Sequence, residues 1–174
     1  MKIIRLTPKD YEPFYALRLA SLEECPEEFA TDADAWKNAP RETISKLLIN
    51  SETRPDAPIF GAWKNEEMVG LIGVNRDLRP SVMHKFTLWG LYVLPELRKQ
   101  GVGRALLDEV IKVAHETSDL RLVRAVVTIT SQAAISLLEK QGFKVFGREP
   151  EGKRLNEKYY DQVYLWLPLS PSFR

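Results

Sequence analysis

Along this chain the apolar residues switch between a two-residue and a three-to-four-residue period, and each switch marks an element boundary. Lys2 to Leu6 reads as a short strand. Thr7-Pro8-Lys9-Asp10 has the form of a helix start, with Thr7 at the N-cap, Pro8 at the first position and an acid three residues after the cap. That helix would turn Tyr11, Phe14 or Tyr15, Leu19 and Leu22 inward and end before Pro26. Cys25 to Asn38 is acidic and reads as irregular. Pro40 opens a second helix with Ile44, Leu47 and Leu48 on its buried side, followed by a polar loop containing Pro55 and Pro58. Two strands come next, Pro58 to Trp63 and Met68 to Asn75, joined through Lys64-Asn65-Glu66-Glu67 in a hairpin-like turn. Gly70 and Gly73 inside the second run point to a bulge or close packing.

Arg76 to Ser81 is a turn, and a central strand runs from near Val82 to Val93. The helix after it places Leu107, Val110, Ile111 and Ala114 three or four apart. Leu122 to Ile129 is a β-branched strand, and Ser131 to Gln141 is a helix with Ala134, Ile135, Leu137 and Leu138 as its apolar set. Gly142 closes that helix at a C′-like position. The last strands are Phe143 to Arg148 and Tyr159 to Leu167, joined by a polar loop through Pro150 and Gly152. There is no internal repeat. This order predicts one α+β domain over residues 1–174, with a mixed, mostly antiparallel central sheet flanked by helices.

The chemistry concentrates between Leu88 and Leu107, LWGLYVLPELRKQGVGRALL. An apolar β-run ends at Pro95, passes through the basic turn Arg98-Lys99-Gln100-Gly101-Val102-Gly103-Arg104, and becomes a helix. A helix start offers N–H groups without intrahelical partners and a partial positive charge, so a basic Gly-x-Gly turn there forms an anion site. The glycines let the backbone approach a phosphate without an intervening Cβ. A Walker A loop is excluded, because no Gly-Lys-Ser/Thr occurs in the chain. A dinucleotide fingerprint is disfavoured, because Leu106 stands where the third glycine would be. The remaining pattern is R-x-x-G-x-G after a strand ending in V-x-P; the plain alternative is a helix start that carries Gly-x-Gly in a basic turn.

Composition narrows the partners. A formal net charge of +1 with no long single-sign block gives no electrostatic footprint for nucleic acid. The single cysteine, Cys25, excludes an internal disulfide framework and a cysteine-based zinc site, and no metal is expected. The start MKIIRLTPKDY has too short an apolar run for a signal peptide, and no run approaches the length of a membrane span. The cytoplasm is therefore the expected location.

The turn at Arg98–Arg104 resembles the acyl-CoA pyrophosphate loop of the GNAT family of N-acetyltransferases, [Q/R]-x-x-G-x-[G/A]. A second motif supports the resemblance. Where that family has N-x-x-A-x-x-L-Y-x-x-x-G-F, this chain reads Ser131-Gln132-Ala133-Ala134-Ile135-Ser136-Leu137-Leu138-Glu139-Lys140-Gln141-Gly142-Phe143. Tyr159-Tyr160-Asp161-Gln162-Val163 is similar to the family's final strand, and the order of elements matches over nearly the whole chain. The resemblance implies direct transfer of the acetyl group of acetyl-CoA to an acceptor amine. It implies that Leu91, Tyr92 and Val93 hold the pantetheine arm, with one of their N–H groups polarising the thioester carbonyl. Arg98, Lys99, Gln100, Gly101, Val102, Gly103 and Arg104 would hold the pyrophosphate. Ser131 stands in place of the family's Asn, keeping a short hydrogen-bonding group near the pantetheine.

Leu138 replaces the tyrosine often found in the family as the acid for the departing thiolate, so an acid must come from elsewhere or be dispensable. This opens a rival reading, a non-catalytic acyl-CoA-binding or regulatory module on the same fold. For the base that deprotonates the acceptor, the candidates are Glu24, beside Glu23 at the end of the first helix, and His84, at the start of the central strand, histidine being a common general base. The alternatives are a solvated acidic helix end and a structural histidine. Tyr159 and Tyr160 read as sheet residues. The acidic stretch Glu23 to Asp34 would attract a cationic amine if it faced the acceptor, or else form a solvated face. A homodimer is an expectation by analogy with the fold alone.

Overall fold

A computed structural model describes residues 1–169; residues 170–174, the end of the expected domain, lie outside the described residues. The alternating runs pair into one seven-stranded sheet. Its strands are β1 (Lys2–Arg5), β2 (Ile59–Lys64), β3 (Glu67–Arg76), β4 (Lys85–Val93), β5 (Leu122–Thr128), β6 (Lys144–Leu155) and β7 (Lys158–Pro168). They lie in the order β1-β2-β3-β4-β5-β7-β6, antiparallel throughout except for the parallel pair β4–β5. The helices are α1 (Tyr11–Glu24), α2 (Ala33–Asn38), α3 (Arg41–Thr53), α4 (Val102–Glu116) and α5 (Gln132–Lys140).

Two apolar layers cover the sheet. On one face Val102, Leu106, Leu107, Val110 and Ala114 of α4, with Ile135 and Leu138 of α5, pack on Phe60, Ile72, Phe86 and Val123. On the other, Tyr11, Phe14, Leu17 and Leu22 of α1 meet Trp36 of α2, Ile44 and Leu48 of α3, and Leu71 and Tyr92 of the sheet. The start of α1 forms as the sequence predicts. Asp10 reaches back to accept from the Thr7 N–H at 2.8 Å, and Pro8–Asp10 forms a 3-10 turn ahead of the α-helix. The buried stripe of α1 contains Leu17, Arg18 and Ser21, while the expected inward Leu19 is only half-buried.

The bulge expected in the second hairpin strand is present, and a second one matters more. Opposite β2, Val69 is an extra residue in β3, since Met68 faces Trp63 while Gly70 faces Ala62. In β4, Leu71 faces Tyr92 but Gly73 faces Trp89, so β4 carries one extra residue at Gly90–Leu91. Gly90 has φ +69°, a conformation that costs an L side chain about 1–2 kcal/mol. One inserted residue exchanges the two faces of a strand. Phe86 and Leu88 therefore face the α4 layer ahead of the bulge, and Leu91 and Val93 return to that layer after it. Trp89 and Tyr92 face α1.

The structure corrects three expectations. The stretch expected to be irregular contains α2, capped by Asp32, whose carboxylate accepts from the Ala35 N–H at 2.7 Å; six residues anchored by buried Trp36 are too short to show a helical period. The central strand begins at Lys85, not near Val82, because residues 79–83 close a turn in which Val82 and Met83 donate to the Arg79 carbonyl. Pro150 and Gly152 lie within β6, in a hairpin that runs on to Leu155. An edge strand tolerates a proline whose missing N–H faces outward. A bulge between Glu149 and Lys153 absorbs the mismatch, held where Asp161 Oδ1 accepts from the Glu151 N–H at 2.9 Å and Arg148 binds the same carboxylate.

Candidate active site

The parallel strands β4 and β5 pair only at Lys85–Leu122, Phe86–Val123 and Thr87–Arg124. Beyond Thr87 they splay. The Leu94 N–H donates to the Val69 carbonyl across the β3 side. Antiparallel alternation therefore turns the polar groups of Val93, and of Leu91 two residues back, toward the open β5 side. This leaves a row of backbone donors and acceptors along one wall of a cleft of about 560 Å³. Leu88–Leu91 form that wall and Ala125–Val127 the facing one, while Ser131, Ala134 and Leu138 close the α5 side.

Below the cleft the chain turns into α4. Lys99 (φ +61°) and Gly101 (φ +86°) both take the left-handed conformation, and Gly101 is the helix N-cap. Such a turn gathers successive N–H groups around one point, a backbone nest suited to an anion. The first intrahelical bond is from the Ala105 N–H to the Gly101 carbonyl at 3.0 Å, leaving the earlier helical N–H groups free for a ligand. Lys99 and Arg104 are exposed beside this turn, while Val102 buries its side chain in the core and offers only its backbone. Gln100 is used locally, its Nε2 donating to the Glu96 carbonyl at 2.9 Å.

Arg98 turns the other way. Its Nε donates to the Val93 carbonyl at 3.0 Å and its Nη2 binds Glu24 Oε1 at 2.8 Å. Tyr92 Oη donates to the other oxygen of Glu24. Glu24, read from sequence as a base, is thus held by a cation and a phenol where α1 meets the anion turn. Burial and the Glu24 carboxylate together push the Tyr92 hydroxyl well above the ordinary tyrosine value.

Ser131 is buried on the cleft wall, and its Oγ has no hydrogen-bond partner among the described residues. Leu138, 1% exposed, lines the same wall and has no proton to donate. His84 is not brought to the cleft. It precedes β4 at the paired end, its carbonyl accepting from the Arg121 N–H, and seven residues of strand place it roughly 20 Å from Leu91.

The cleft also gathers Arg18, which the sequence reading did not select, and Glu28 from the acidic stretch. From the α1 face Arg18 enters it, close to Phe29 and Trp89, and Glu28 and Trp36 also line it. The signal for Arg18 was present: it stands four residues after Phe14, on the buried stripe of its helix. Three of the six acids in the acidic stretch have partners of their own: Glu23 pairs with Lys37 at 2.6 Å, Glu24 with Arg98, and Asp32 caps α2. The loop that follows α1 is tied down by Thr128 Oγ1, which donates to the Glu27 carbonyl at 2.8 Å, and by Lys153 Nζ, which donates to the carbonyls of Pro26 and Phe29.

The fold that carries this arrangement is shared with known proteins. The acetyltransferase (GNAT) family profile matches residues 16–143. The chain belongs to this family. An N-alpha-acetyltransferase of Sulfurisphaera tokodaii is 29% identical over 123 residues, covering 67% of this chain and 70% of that protein. A GNAT acetyltransferase of Streptococcus pneumoniae superposes with a TM-score of 0.86 at 25% identity, over 97% of this chain and 99% of its own. The fold of yncA from Salmonella typhimurium, solved with its cofactor acetyl-CoA, superposes with a TM-score of 0.85 at 16% identity, over 98% and 94% of the two chains. The chain spans only 54% and 63% of two other curated relatives, both acetyltransferases. Within the family, the resemblance first drawn from Arg98–Gly103 and Ser131–Phe143 holds for the fold as a whole.

Among the described residues no group of three or more His, Cys, Asp or Glu side chains is placed to hold a metal, and no helix is long and apolar enough to cross a membrane.

Proposed function

We propose that this GNAT member is an acetyl-CoA-dependent N-acetyltransferase that moves the acetyl group directly to an amine. The observation that carries this is the splayed half of β4, whose free backbone groups lead to the nest at Lys99–Gly101. The nest N–H groups, with Lys99 and Arg104 beside them, take the pyrophosphate. Arg98 supports the turn from behind through Glu24 and Val93. The polar groups of Leu91 and the N–H of Val93 take the pantetheine amides, and the Ser131 hydroxyl, without a partner among the described residues, is placed for the same arm. A backbone N–H of the Leu91–Val93 segment polarises the thioester carbonyl.

The acceptor nitrogen attacks the carbonyl carbon, the C–S bond breaks, and the sulfur departs as thiolate. An ammonium acceptor first gives up a proton. Glu28, the carboxylate among the cleft-lining residues, takes the role assigned from sequence to Glu24 and His84, directly or through water. Leu138 supplies no acid, so the thiolate leaves as such or is protonated by solvent. A homodimer belongs to this proposal by analogy with the fold, and a cytoplasmic location belongs to it as an expectation.

Calorimetric titration with acetyl-CoA tests the site, beside Gly103→Glu and Lys99→Glu variants checked for folding by circular dichroism. A Cβ at Gly103 meets the flexible end of Leu137 at 2.9 Å and Val93 Cγ2 at 3.8 Å, and the added negative charge beside the nest opposes the pyrophosphate. Binding by the parent and loss in both variants is the expected result; no binding by the parent would defeat the proposal. Leu138 favours one rival, a binding module without turnover. Thiol release stimulated by an amine excludes that rival.

A further inference from the structure

Arg18 is 5% exposed, in the middle of α1, and none of the ion pairs among the described residues includes it. A guanidinium carries five N–H donors. Its one hydrogen bond is from Nη1 to Ser21 Oγ, a long 3.3 Å, and that hydroxyl already donates to the Arg18 carbonyl at 2.6 Å. The guanidinium lies over the Phe29 ring, 4.4 Å from its centroid, and 5.9 Å from that of Trp89. Burial alone lowers its pKa to about 10, which leaves it charged at neutral pH with no anion to offset it. An unpaired buried cation is costly, and an apolar residue would fit this helix stripe better. What the position offers in return is a view of the cleft. Arg18 lines it, and Nη1 lies 3.7 Å from where a Cβ on Gly90 would be, beside the bulge that presents Leu91.

The anion that completes Arg18 does not come from acetyl-CoA as placed above. The phosphates occupy the nest at Lys99–Gly101, beyond the far end of β4, and the thioester end carries no negative charge. We propose that Arg18 binds the carboxylate of the acceptor, and that the acceptor is a small amine carrying that carboxylate close to the reacting nitrogen, as a free α-amino acid does. In such a molecule one carbon separates the two groups. A carboxylate held by Arg18 beside Gly90 therefore sets the amine beside the Leu91 segment, where the thioester carbonyl is polarised. Phe29, Trp36, Leu47 and Trp89 line the remaining space and select an apolar side chain. Glu28, in the same lining, faces the amine. This rests on the acetyltransferase reading and names its acceptor class.

The test is a matched panel: apolar and aromatic amino acids, their carboxamides, and short peptides beginning with the same residues. It is read by acceptor-stimulated thiol release in the parent and in Arg18→Met and Arg18→Lys. The expected result is a kcat/KM for the acids at least about tenfold above that for amides and peptides, as for loss of one charge-assisted pair. Arg18→Met brings that ratio toward one while its acetyl-CoA titration stays that of the parent. A second readout is independent of turnover. Without ligand, Arg18→Met melts at or above the parent temperature, and acids that raise the parent melting temperature no longer raise that of the variant. Amides or peptides used as well as acids, an acid preference that survives Arg18→Met, or no turnover of any acid by a parent that binds acetyl-CoA would each overturn the assignment. Failure of the parent to bind acetyl-CoA is the separate failure of the acetyltransferase reading.

Discussion

Glu24, Tyr92 and Arg98 come from the end of a helix, the end of a strand and the turn after it, and they meet as one unit behind the anion site. The tyrosine is poorly placed to exchange a proton with a substrate. The phenol is buried and donates to a carboxylate, so its anion is doubly disfavoured. Its folded pKa is raised above the unfolded value of 10.0, so the associated stability is full below pH 10.0 and is lost as pH rises toward the folded value. Replacing Tyr92 with Phe is expected to cost about 1 kcal/mol at neutral pH. It should also flatten the alkaline fall in a series of urea melts; a parent and variant with parallel pH profiles would contradict this. For Glu28 the expectation is catalytic. Glu28→Gln should lower kcat about 100-fold with little change in acetyl-CoA affinity, a loss in the range of a missing general base. The loss should shrink at high pH, where free amine no longer needs a base, and steady-state kinetics against pH would show it.

At the scale of elements, β4 determines what the site can be. Its extra residue at Gly90–Leu91 changes which face the strand presents, and its divergence from β5 after Thr87 frees the backbone. Gly90→Ala should cost about 1–2 kcal/mol from the left-handed backbone alone. The new Cβ also meets Leu71 Cδ1 at 3.2 Å. Relief of that strain by slipping the bulge would misplace Leu91, so the variant should lose acetyl-CoA affinity as well as stability. A variant that is less stable yet binds normally would show that the bulge does not set the wall. The sequence marked Gly70 and Gly73 as the irregular positions of the neighbouring strand. Gly90 was the same kind of sign inside β4, but a single extra residue is defined only against a partner strand.

The whole molecule adds the roof. The loop after α1 is held from β5 by Thr128 and from the β6–β7 hairpin by Lys153, whose ammonium is half-buried and whose pKa burial lowers. Lys153→Met removes two hydrogen bonds to the carbonyls that carry Phe29 and, beside it, Glu28 toward the cleft. The expected effect is a rise in acceptor KM of about tenfold with acetyl-CoA binding intact, following the loss of hydrogen bonds to a charged group. Initial-rate kinetics with both substrates varied would separate the two constants. A rise in both would mean that the hairpin supports the entire cleft and not its acceptor half.

Elements written in contiguous residues were determined by the sequence itself. The capped start of α1, the periodic face of α4, the Gly142 cap of α5 and the basic Gly-x-Gly turn after Pro95 each depend on neighbours within a turn or two. Their spacing therefore carries the information, and with the motif at Ser131–Phe143 it carried the family. Only the tertiary structure decided the rest. The β4–β5 splay is set by where the two strands stop pairing, after Thr87 and Arg124. The pairing of Glu24 with Arg98, the remoteness of His84 from Leu91 and the entry of Arg18 and Glu28 into a cleft walled by β4 and β5 all depend on residues far apart in the chain. Burial and the distance between charges are properties of the assembled chain, and they decide which of its acids and bases are free to act.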